Sequence, residues 1–386
     1  MATKFKPFDV VIARYLLKPN EVFHLSKPLM YGAKINTGFG SINHDDIIGK
    51  PLRSIVFGDK DKKHKYIVTR ARLSEYVINV KREAQPIYPV DASLIVQAAD
   101  INVSYPTLKS VDDTEIYKEI DIFRRRGYKL AKNKRNDIKN DSSSINKKEE
   151  IIQEKLLILH GPINSYNGKT ITRCSTPPLQ FLECGTGHGS LTLQICKSIH
   201  ASNCYFDGIN DLSRGSIIHS LDRNLKHMKI GIGTVSGFQK GIYLDDVEFH
   251  YEPIGPSNWV NSDIANYYRQ LCDTTEFLQG CFLDMPSPEH EFTELSKYLT
   301  VDGFIIVFTP SISQIWDCYT FVKDNDLKLT LVSTFELLTG GNGGMREWDV
   351  RRVMIRNSEM VGKVVKPRIG VRIVGGGFIG IFRKIP

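Results

Sequence analysis

The sequence predicts an α/β fold, in which a larger domain with a mostly parallel sheet follows a small N-terminal β domain. Three observations support this prediction. From residue 179 onward, apolar runs of strand length alternate with segments of helical periodicity, as in βαβ units. The first of these runs leads into a glycine-rich turn, FLECGTGHGSLT at 181–192. Between about residues 20 and 90, short period-two runs are separated by Gly, Asn and Asp, which is typical of an antiparallel β unit.

A chain of 386 residues, 41% of them hydrophobic, is long enough for two domains. We place the small β domain at 1–84 and the larger domain at 85–386. No stretch of eighteen apolar residues occurs, which predicts a soluble protein without a membrane partner. The seven cysteines include no C-x-x-C pair, which favours reduced thiols over a disulfide framework or a zinc site.

The basic balance of the chain bears on its partners and its compartment. A net charge of +8 at pH 7 draws a protein to polyanions such as nucleic acids. The first twenty residues carry four basic side chains and one acidic one. This composition favours a mitochondrial transit segment over an ordinary N-terminal strand, and the nucleus or cytoplasm is the alternative compartment.

A charged segment at about 105–178 separates the two patterns. Its middle, about 130–150, is rich in Asn, Lys and Ser and too polar to bury a core, so we expect a mobile insertion. Two interpretations stay open. The segment is a solvated loop, or it is an arm whose three arginines beside Phe123 and Tyr128 contact RNA.

In the larger domain the residue pattern predicts individual elements. A helix begins after the turn at Tyr88-Pro89, with Asp91 as its cap. A last antiparallel pair of strands, joined through Gly375 to Gly377, is expected to complete the sheet. The other predicted strands are LQFLEC, NCYFDGI, VEFHYE, GCFLDM and GFIIVFT, with SIIHSLDRNLKHM predicted as a helix between the second and the third.

The turn after LQFLEC is predicted to bind the ligand of this domain. Glycines let a backbone approach a ligand closely and leave N–H groups at the helix start free to donate. The G-x-G-x-G spacing lacks the later third glycine of dinucleotide sites and the Gly-Lys-Ser/Thr of a P-loop. With an acid before it, the turn instead fits the S-adenosylmethionine site of Rossmann-like methyltransferases. The predicted cofactor-binding residues here are Glu183, Gly185, Thr186, Gly187, His188, Gly189 and Ser190.

Two further acids complete the predicted site. A carboxylate at the end of the second strand accepts hydrogen bonds from both ribose hydroxyls; Asp207, about twenty residues beyond the first glycine, has that place, with Asp211 as the alternative. Asp284 in FLDMPSPEH ends a later strand, and two prolines fix the backbone beyond it. Such a carboxylate binds the edge of a base and takes its proton while a neighbouring nitrogen attacks the methyl carbon.

With these motifs the chain resembles the catalytic subunits of the tRNA adenine-N1 methyltransferases that modify adenosine 58. Four segments carry the resemblance in order: TGFGSINHDDIIGKP, AQPIYPVDASLIVQAADI, FLECGTGHGSLT and FLDMPSP. The late segments MREWDV and GGGFIGIFRK add to it. The family fold is a small β domain followed by a Rossmann-like methyltransferase domain.

The resemblance implies S-adenosylmethionine as the cofactor and tRNA as the partner. It also implies assembly as a homotetramer, or as a heterotetramer with a related non-catalytic subunit. Within the site, it implies that Gln85 and Tyr88 lie over the cofactor, that Asp207 holds the ribose, and that Asp284 contacts the target adenine.

The chain departs from the family pattern at four positions. His188 stands where the family has serine, and Cys184 where it has alanine. Pro253 stands near the expected adenine-binding aspartate, and we predict that Glu252 substitutes for it. Glu289 replaces a tryptophan and adds negative charge to the wall that faces the target base.

Three functions are compatible with these residues, and we expect the first. It is an active S-adenosylmethionine-dependent methyltransferase that forms N1-methyladenosine at position 58, in the T-loop of tRNA. The alternative is a catalytically weak or inactive methyltransferase-like subunit that binds RNA as a scaffold. The third is a methyltransferase of another substrate, such as ribosomal RNA or protein, because fold does not fix function.

Overall fold

The N-terminal part of the chain is an antiparallel β unit. The computed structural model describes residues 3–17, 23–59, 63–104, 108–111, 171–174, 177–203, 214–270, 272, 274–337, 348–354, 361–367 and 376–386. Four strands pair in the order β2-β1-β6-β5, and a hairpin, β3-β4, lies beside them. Their bounds are β1 Val11–Tyr15, β2 Phe23–Leu25, β3 Lys34–Thr37, β4 Gly40–Asn43, β5 Ile55–Phe57 and β6 Lys65–Arg70. The predicted small β domain is confirmed.

The period-two pattern of these strands has a physical cause. In β6, Tyr66 and Val68 are buried while their neighbours reach the surface, because successive side chains of a strand point to opposite faces. The inward side chains, with Val11, Ala13 and Val56, form a core of their own.

The N-terminal unit also packs on the larger domain. After the sheet comes helix α1, Leu73–Asn79, whose buried Tyr76 donates a hydrogen bond from its hydroxyl to the carbonyl of Thr234 at 3.0 Å. Lys240 Nζ lies 3.0 Å from Asp9 Oδ1. Ile12 belongs to the same apolar cluster as the core of the larger domain. The division into domains at residue 84 stays a prediction.

The larger domain is a seven-stranded sheet in the order β11-β10-β9-β12-β13-β17-β14. Strands β9 to β13 run parallel, while β17 is antiparallel to both β13 and β14. The central strands are buried on both faces, as a parallel sheet requires. The strand bounds are β9 Leu179–Cys184, β10 Ser216–Asp222, β11 Val247–Tyr251, β12 Leu278–Leu283, β13 Leu299–Thr309, β14 Leu329–Leu337 and β17 Gly377–Lys384.

Helices cover the two faces of this sheet. Ile95, Leu193 and Val235 mark the helices on one face, and Trp259, Leu295 and Ile315 mark those on the other. The helices on the first face are α2 Pro89–Ala99, α3 Ser190–Ile199 and α4 Leu225–Gly237. Those on the second face are α5 Pro256–Val260, α6 Asp263–Gln270, α7 Phe292–Tyr298 and α8 Ile312–Asp324. The α/β prediction with a mostly parallel sheet is confirmed.

The stretch SIIHSLD, predicted as part of a helix, is strand β10. All seven of its side chains are buried, so the run has neither the helical nor the alternating period that separates the two structures. The helical part of the predicted segment begins only at Leu225, after the cap residue Asn224. The strand predicted at NCYFDGI lies outside the described residues apart from Asn203.

Two predictions of local structure were wrong. Asp91 does not cap α2, because the cap position is Tyr88 and the Asp91 carboxylate accepts the N–H of Gly376 at 3.1 Å instead. The predicted pair of strands joined through Gly375 to Gly377 does not form, because β17 completes the sheet by pairing with β13 on one edge and β14 on the other. The first strand of that predicted pair, just before Gly375, lies almost wholly outside the described residues.

Two further strand pairs lie outside the main sheet. The ends of the predicted insertion pair antiparallel as β7 Leu108–Val111 and β8 Ile171–Cys174, and the predicted mobile stretch 130–150 lies outside the described residues. The second pair is β15 Trp348–Met354 with β16 Val361–Pro367. In the described ranges, no helix is long and apolar enough to cross a bilayer.

Candidate active site

The glycine turn follows β9, with the ends of β10 and β12 on its two sides. Gly185, with φ +102°, is so close to the next strand that a Cβ on it would be 2.3 Å from the carbonyl oxygen of Asp284. Gly189, with φ +82°, precedes α3, and a Cβ there would meet the backbone of Gly231 at 3.0 Å. Both positions therefore need glycine for conformation and for space. Backbone packing alone accounts for two of the three glycines.

Gly187 differs from the other two. A Cβ on it would meet nothing closer than 3.7 Å, with Ala84 as its nearest side chain at 3.8 Å. Its φ of +49° is unusual for other residues, but a Cβ there would make only ordinary van der Waals contacts. Packing does not require glycine at this half-buried position, where the absence of a side chain lets a ligand approach the backbone.

The predicted residues Gln85 and Tyr88 lie in the segment beside this turn. Ser190 Oγ donates a hydrogen bond to the carbonyl of Ile87 at 2.5 Å, which ties the segment to the start of α3. Gln85 Nε2 lies 3.3 Å from the hydroxyl of Tyr88, and both side chains retain exposed surface. The structure thus brings these two side chains to the turn, while their contact with a cofactor stays a prediction.

Glu183 lies beneath the turn and is fully buried. Its Oε2 accepts hydrogen bonds from Thr192 Oγ1 at 2.7 Å and from Ser220 Oγ at 2.6 Å. Thr186 Oγ1 in turn lies 2.7 Å from Ser220 Oγ. Burial raises the pKa of Glu183 to about 8. In this arrangement the carboxyl group braces the turn from inside, and its predicted contact with the cofactor stays a prediction.

Asp222 is a site residue that the sequence analysis missed. It ends β10, the strand beside β9, and is 7% exposed. Its Oδ2 accepts the N–H of Gly187 at 2.8 Å, and its Oδ1 accepts the N–H of Asn224 at 2.7 Å. The predicted ribose acids Asp207 and Asp211 lie outside the described residues. A sequence signal could have identified Asp222: it is the acid at the end of the apolar run SIIHSLD, two residues before the helix cap Asn224.

Asp284 lies across the turn from Asp222. It follows β12, and its N–H donates to the carbonyl of Cys184 at 2.9 Å, which fixes it at the end of the central strand. Burial and the nearby Asp222 carboxylate raise the pKa of Asp284 to about 6. At neutral pH this carboxylate is ionised, yet it takes up a proton more readily than a solvated aspartate. It therefore has the charge and proton affinity of a base that works near pH 7.

Glu252 occupies the end of β11, next to Asp222. Its N–H donates to the carbonyl of Asp222 at 3.0 Å. Its side chain is 9% exposed and accepts the N–H of Ile254 and the amide of Asn258, each at 3.0 Å. Glu252 therefore orders the loop at the third strand end, and its predicted contact with a bound adenine stays a prediction.

His188, which lies between Gly187 and Gly189 in the turn, is 2% exposed. Neither ring nitrogen has a hydrogen-bond partner within the described part of the chain. Burial, with a smaller effect of the Arg82 charge, lowers the pKa of His188 to about 4, so the ring is neutral at pH 7. The imidazole therefore adds no charge to the turn at pH 7.

The architecture matches known structures along the whole chain. A SAM-dependent O-methyltransferase from Thermotoga maritima matches with a TM-score of 0.55 at 11% identity, over 99% of this chain and 95% of that one. The tRNA (m1A58) methyltransferase TrmI from Aquifex aeolicus matches with a TM-score of 0.51 at 13% identity, over all of both chains. The fold is that of S-adenosylmethionine-dependent methyltransferases. No protein-family model matches the sequence.

Alanine at two positions of the turn should separate packing from ligand approach. Gly185→Ala drives a Cβ into the Asp284 carbonyl, so we expect a loss of about 3 kcal/mol in the free energy of unfolding. Gly187→Ala carries only the strain of its positive φ, about 1 kcal/mol, but places a methyl group where we expect the ligand to approach the backbone. Denaturant unfolding should rank the two in this order, and calorimetry with S-adenosylhomocysteine should show weaker binding by Gly187→Ala. Equal stability losses would contradict this account.

The buried Glu183 carboxyl group predicts a pH dependence of stability. Its folded-state pKa of about 8 exceeds the usual value of 4.5, so the folded protein keeps a proton that the unfolded chain releases as pH rises between these values. Stability should fall in that window, by up to about 1.4 kcal/mol per pH unit. Glu183→Gln retains an acceptor for Thr192 and Ser220 and should remove this loss. Thermal unfolding of both proteins from pH 5 to 9 measures the difference, and parallel profiles would refute it.

Proposed function

We propose that the protein is an S-adenosylmethionine-dependent methyltransferase that forms N1-methyladenosine at position 58, in the T-loop of tRNA. The observation that carries the proposal is the pair of carboxylates, Asp222 and Asp284, on the two strands that flank the glycine turn. The Aquifex aeolicus structure with the same fold is a tRNA (m1A58) methyltransferase. The net charge of +8 supports an RNA substrate.

The residues of the turn fit S-adenosylmethionine. Gly187 keeps exposed surface and has no side chain between the ligand and the backbone, and Asp222 is placed beside it to accept hydrogen bonds from ribose hydroxyls. The cofactor supplies a methyl group on a positively charged sulfur. Asp222 and Asp284 give this edge of the sheet a negative charge, which favours a cationic ligand. Gln85 and Tyr88 are proposed to close over it.

Asp284 is proposed as the residue that contacts the target adenine. Its carboxylate accepts a hydrogen bond from the exocyclic amino group, which orients the neighbouring N1 lone pair toward the transferred methyl group. Attack by N1 places positive charge on the base, and the carboxylate stabilises that charge or accepts the amino proton. A pKa near 6 suits both roles at neutral pH.

The assembly and the compartment are further parts of the proposal. We propose a tetramer, either of this chain alone or with a related non-catalytic subunit, and a mitochondrial location. The basic N-terminal segment supports the location. A catalytically weak RNA-binding subunit is the second candidate, because Glu289 stands where the family that the sequence resembles has a tryptophan.

Substitutions of the two aspartates should locate the ribose contact. Loss of a charged acceptor costs about 1.5 to 3 kcal/mol, so Asp222→Asn should weaken S-adenosylhomocysteine binding about tenfold or more. Asp207→Ala is the matched control and should bind as the wild type does. Calorimetric titration measures both affinities. If only Asp207→Ala binds S-adenosylhomocysteine more weakly, Asp207 is the ribose-binding acid, as the sequence predicts, and Asp222 does not have this role.

Asp284→Asn should separate chemistry from cofactor binding. It keeps the size of the side chain but loses its negative charge, so methyl transfer to a tRNA transcript should fall by about 10²- to 10⁴-fold, while S-adenosylhomocysteine affinity stays within a few-fold. The wild-type rate should fall as pH drops through about 6, where Asp284 becomes protonated, and this inflection should be absent in the variant. A transcript without adenine at position 58 is the substrate control. Undiminished activity in Asp284→Asn would exclude the proposed role.

A further inference from the structure

The N-terminal sheet leaves part of one face uncovered. On the edge strand β5, Ile55 and Phe57 are 45% and 43% exposed, although Val56 between them is buried. Across the strand pair, Ile67 lies opposite Ile55 and Lys65 opposite Phe57, with the Lys65 ammonium 5.9 Å from the centre of the Phe57 ring. We call these four residues the β5-β6 face. It combines exposed apolar area with a cation held over an aromatic ring.

The rest of the same sheet face is covered by the larger domain. The strand register places Arg14 opposite both Ile67 and Phe23, so these side chains share a face. Toward β2, Ile12 and Phe23 pack in the apolar cluster that joins the N-terminal unit to the methyltransferase domain. The β5-β6 face therefore continues a buried apolar surface into solvent, beside the junction of the two units. Ile55, Phe57 and Ile67 of the β5-β6 face are not part of the apolar cluster that joins the two units.

A second exposed aromatic ring, from the β3-β4 hairpin, lies near the end of the β5-β6 pair. Phe39, in the turn between β3 and β4, is 41% exposed and stacks on His64, with ring centres 4.5 Å apart and an angle of 10°. The hydroxyl of Tyr15 lies 3.1 Å from His64 Nδ1 and helps to hold the stack. The carbonyl of Phe39 lies beside Gly58, the residue after Phe57. The Phe39 ring also lies 5.0 Å from the Tyr15 ring, and Tyr15 packs with Tyr66 on the buried face of the sheet, so Phe39 lies on the side of the sheet opposite to Phe57.

The charge of the β5-β6 hairpin favours a polyanion. Its described residues carry two lysines, Lys63 and Lys65, and Arg70 against one aspartate, Asp59. Asp59 accepts hydrogen bonds from the N–H and the hydroxyl of Ser41, and its Oδ2 lies 3.6 Å from the ammonium of Lys34. A second copy of this face would bring the same positive charge, which disfavours self-association here.

We propose that the β5-β6 face binds unpaired bases of the RNA substrate, with Lys63 and Lys65 contacting the phosphates. The inference rests on the proposed function, because it assigns a contact surface to the same RNA. Exposed rings with nearby cations are the combination that binds single-stranded nucleic acid, since every base offers a π-face for stacking. The surface selects unpaired segments and leaves the choice of the modified base to the active site.

A uridine 12-mer tests this surface independently of methylation, because it contains no adenine. Phe57→Ala should weaken its binding by roughly 5- to 100-fold, the value of one base stacked on an aromatic ring. Phe335→Ala is the matched control, because Phe335 is 49% exposed on the edge strand β14 of the other sheet, and it should bind as the wild type does. Lys65→Gln should reduce the slope of log affinity against log salt by about one contact. Fluorescence anisotropy at several salt concentrations measures all four proteins.

Two readouts exclude misfolding and separate the possible failures. Phe57→Ala should unfold at the wild-type temperature and bind S-adenosylhomocysteine with wild-type affinity. Unchanged 12-mer binding by Phe57→Ala, or an equal loss in Phe335→Ala, would overturn the inference. A change of mass in sedimentation with unchanged RNA affinity would also overturn it and assign the face to a protein contact. If the 12-mer result holds while tRNA is not methylated, the inference stands and the proposed activity fails.

Discussion

The close approach of Gly185 to the backbone of Asp284 is the constraint on which the site depends. Any side chain at position 185 would overlap the Asp284 carbonyl, so these two strand ends stay together only with glycine. The N–H groups of Gly185 and Thr186 donate to the carbonyl of Leu221 on the other side, at 2.9 and 3.0 Å. The N–H of Asp284 donates to Cys184. Main-chain contacts thus fix the ends of three adjacent strands, and the side chains of Asp222 and Asp284 take their positions from this frame.

This frame brings three carboxyl groups to one edge of the sheet, which has an electrostatic cost. The pKa of Glu183 and of Asp284 is raised by burial first and by the neighbouring carboxylates second. The protein meets this cost in two ways. Glu183 retains its proton at neutral pH, and Asp222 is stabilised by two backbone N–H groups. The remaining negative charge faces the space where the proposed cationic cofactor binds, so binding would relieve the repulsion that folding creates.

The sequence was sufficient for the parts of the fold and site that depend on local spacing. Few structures are compatible with glycines at alternating positions after an apolar run, or with an aspartate followed by the two prolines of D-x-P-x-P. The structure brings Gly185 of the first pattern and Asp284 of the second together. Asp222 was missed because β10 is buried on both faces and its sequence has no period to distinguish a strand from a helix. The role of Asp91 depends on Gly376, which is 285 residues away, and such long-range pairing leaves no local signal.

Helix α4 connects the N-terminal unit to the glycine turn, and its own glycines make this possible. A Cβ on Gly231 would be 2.5 Å from Thr186 Cγ2, and a Cβ on Gly237 would be 2.4 Å from the Tyr76 hydroxyl. Glycine in a helix interior lowers stability by about 1 kcal/mol relative to alanine. The close packing of Gly231 on the turn and of Gly237 on Tyr76 offsets this loss of stability. One helix thus contacts the turn near its middle and the N-terminal unit at its end. Because the larger domain contacts helix α1 of the N-terminal unit through this helix, RNA bound on the β5-β6 face would lie on a unit that packs directly against the glycine turn's own support.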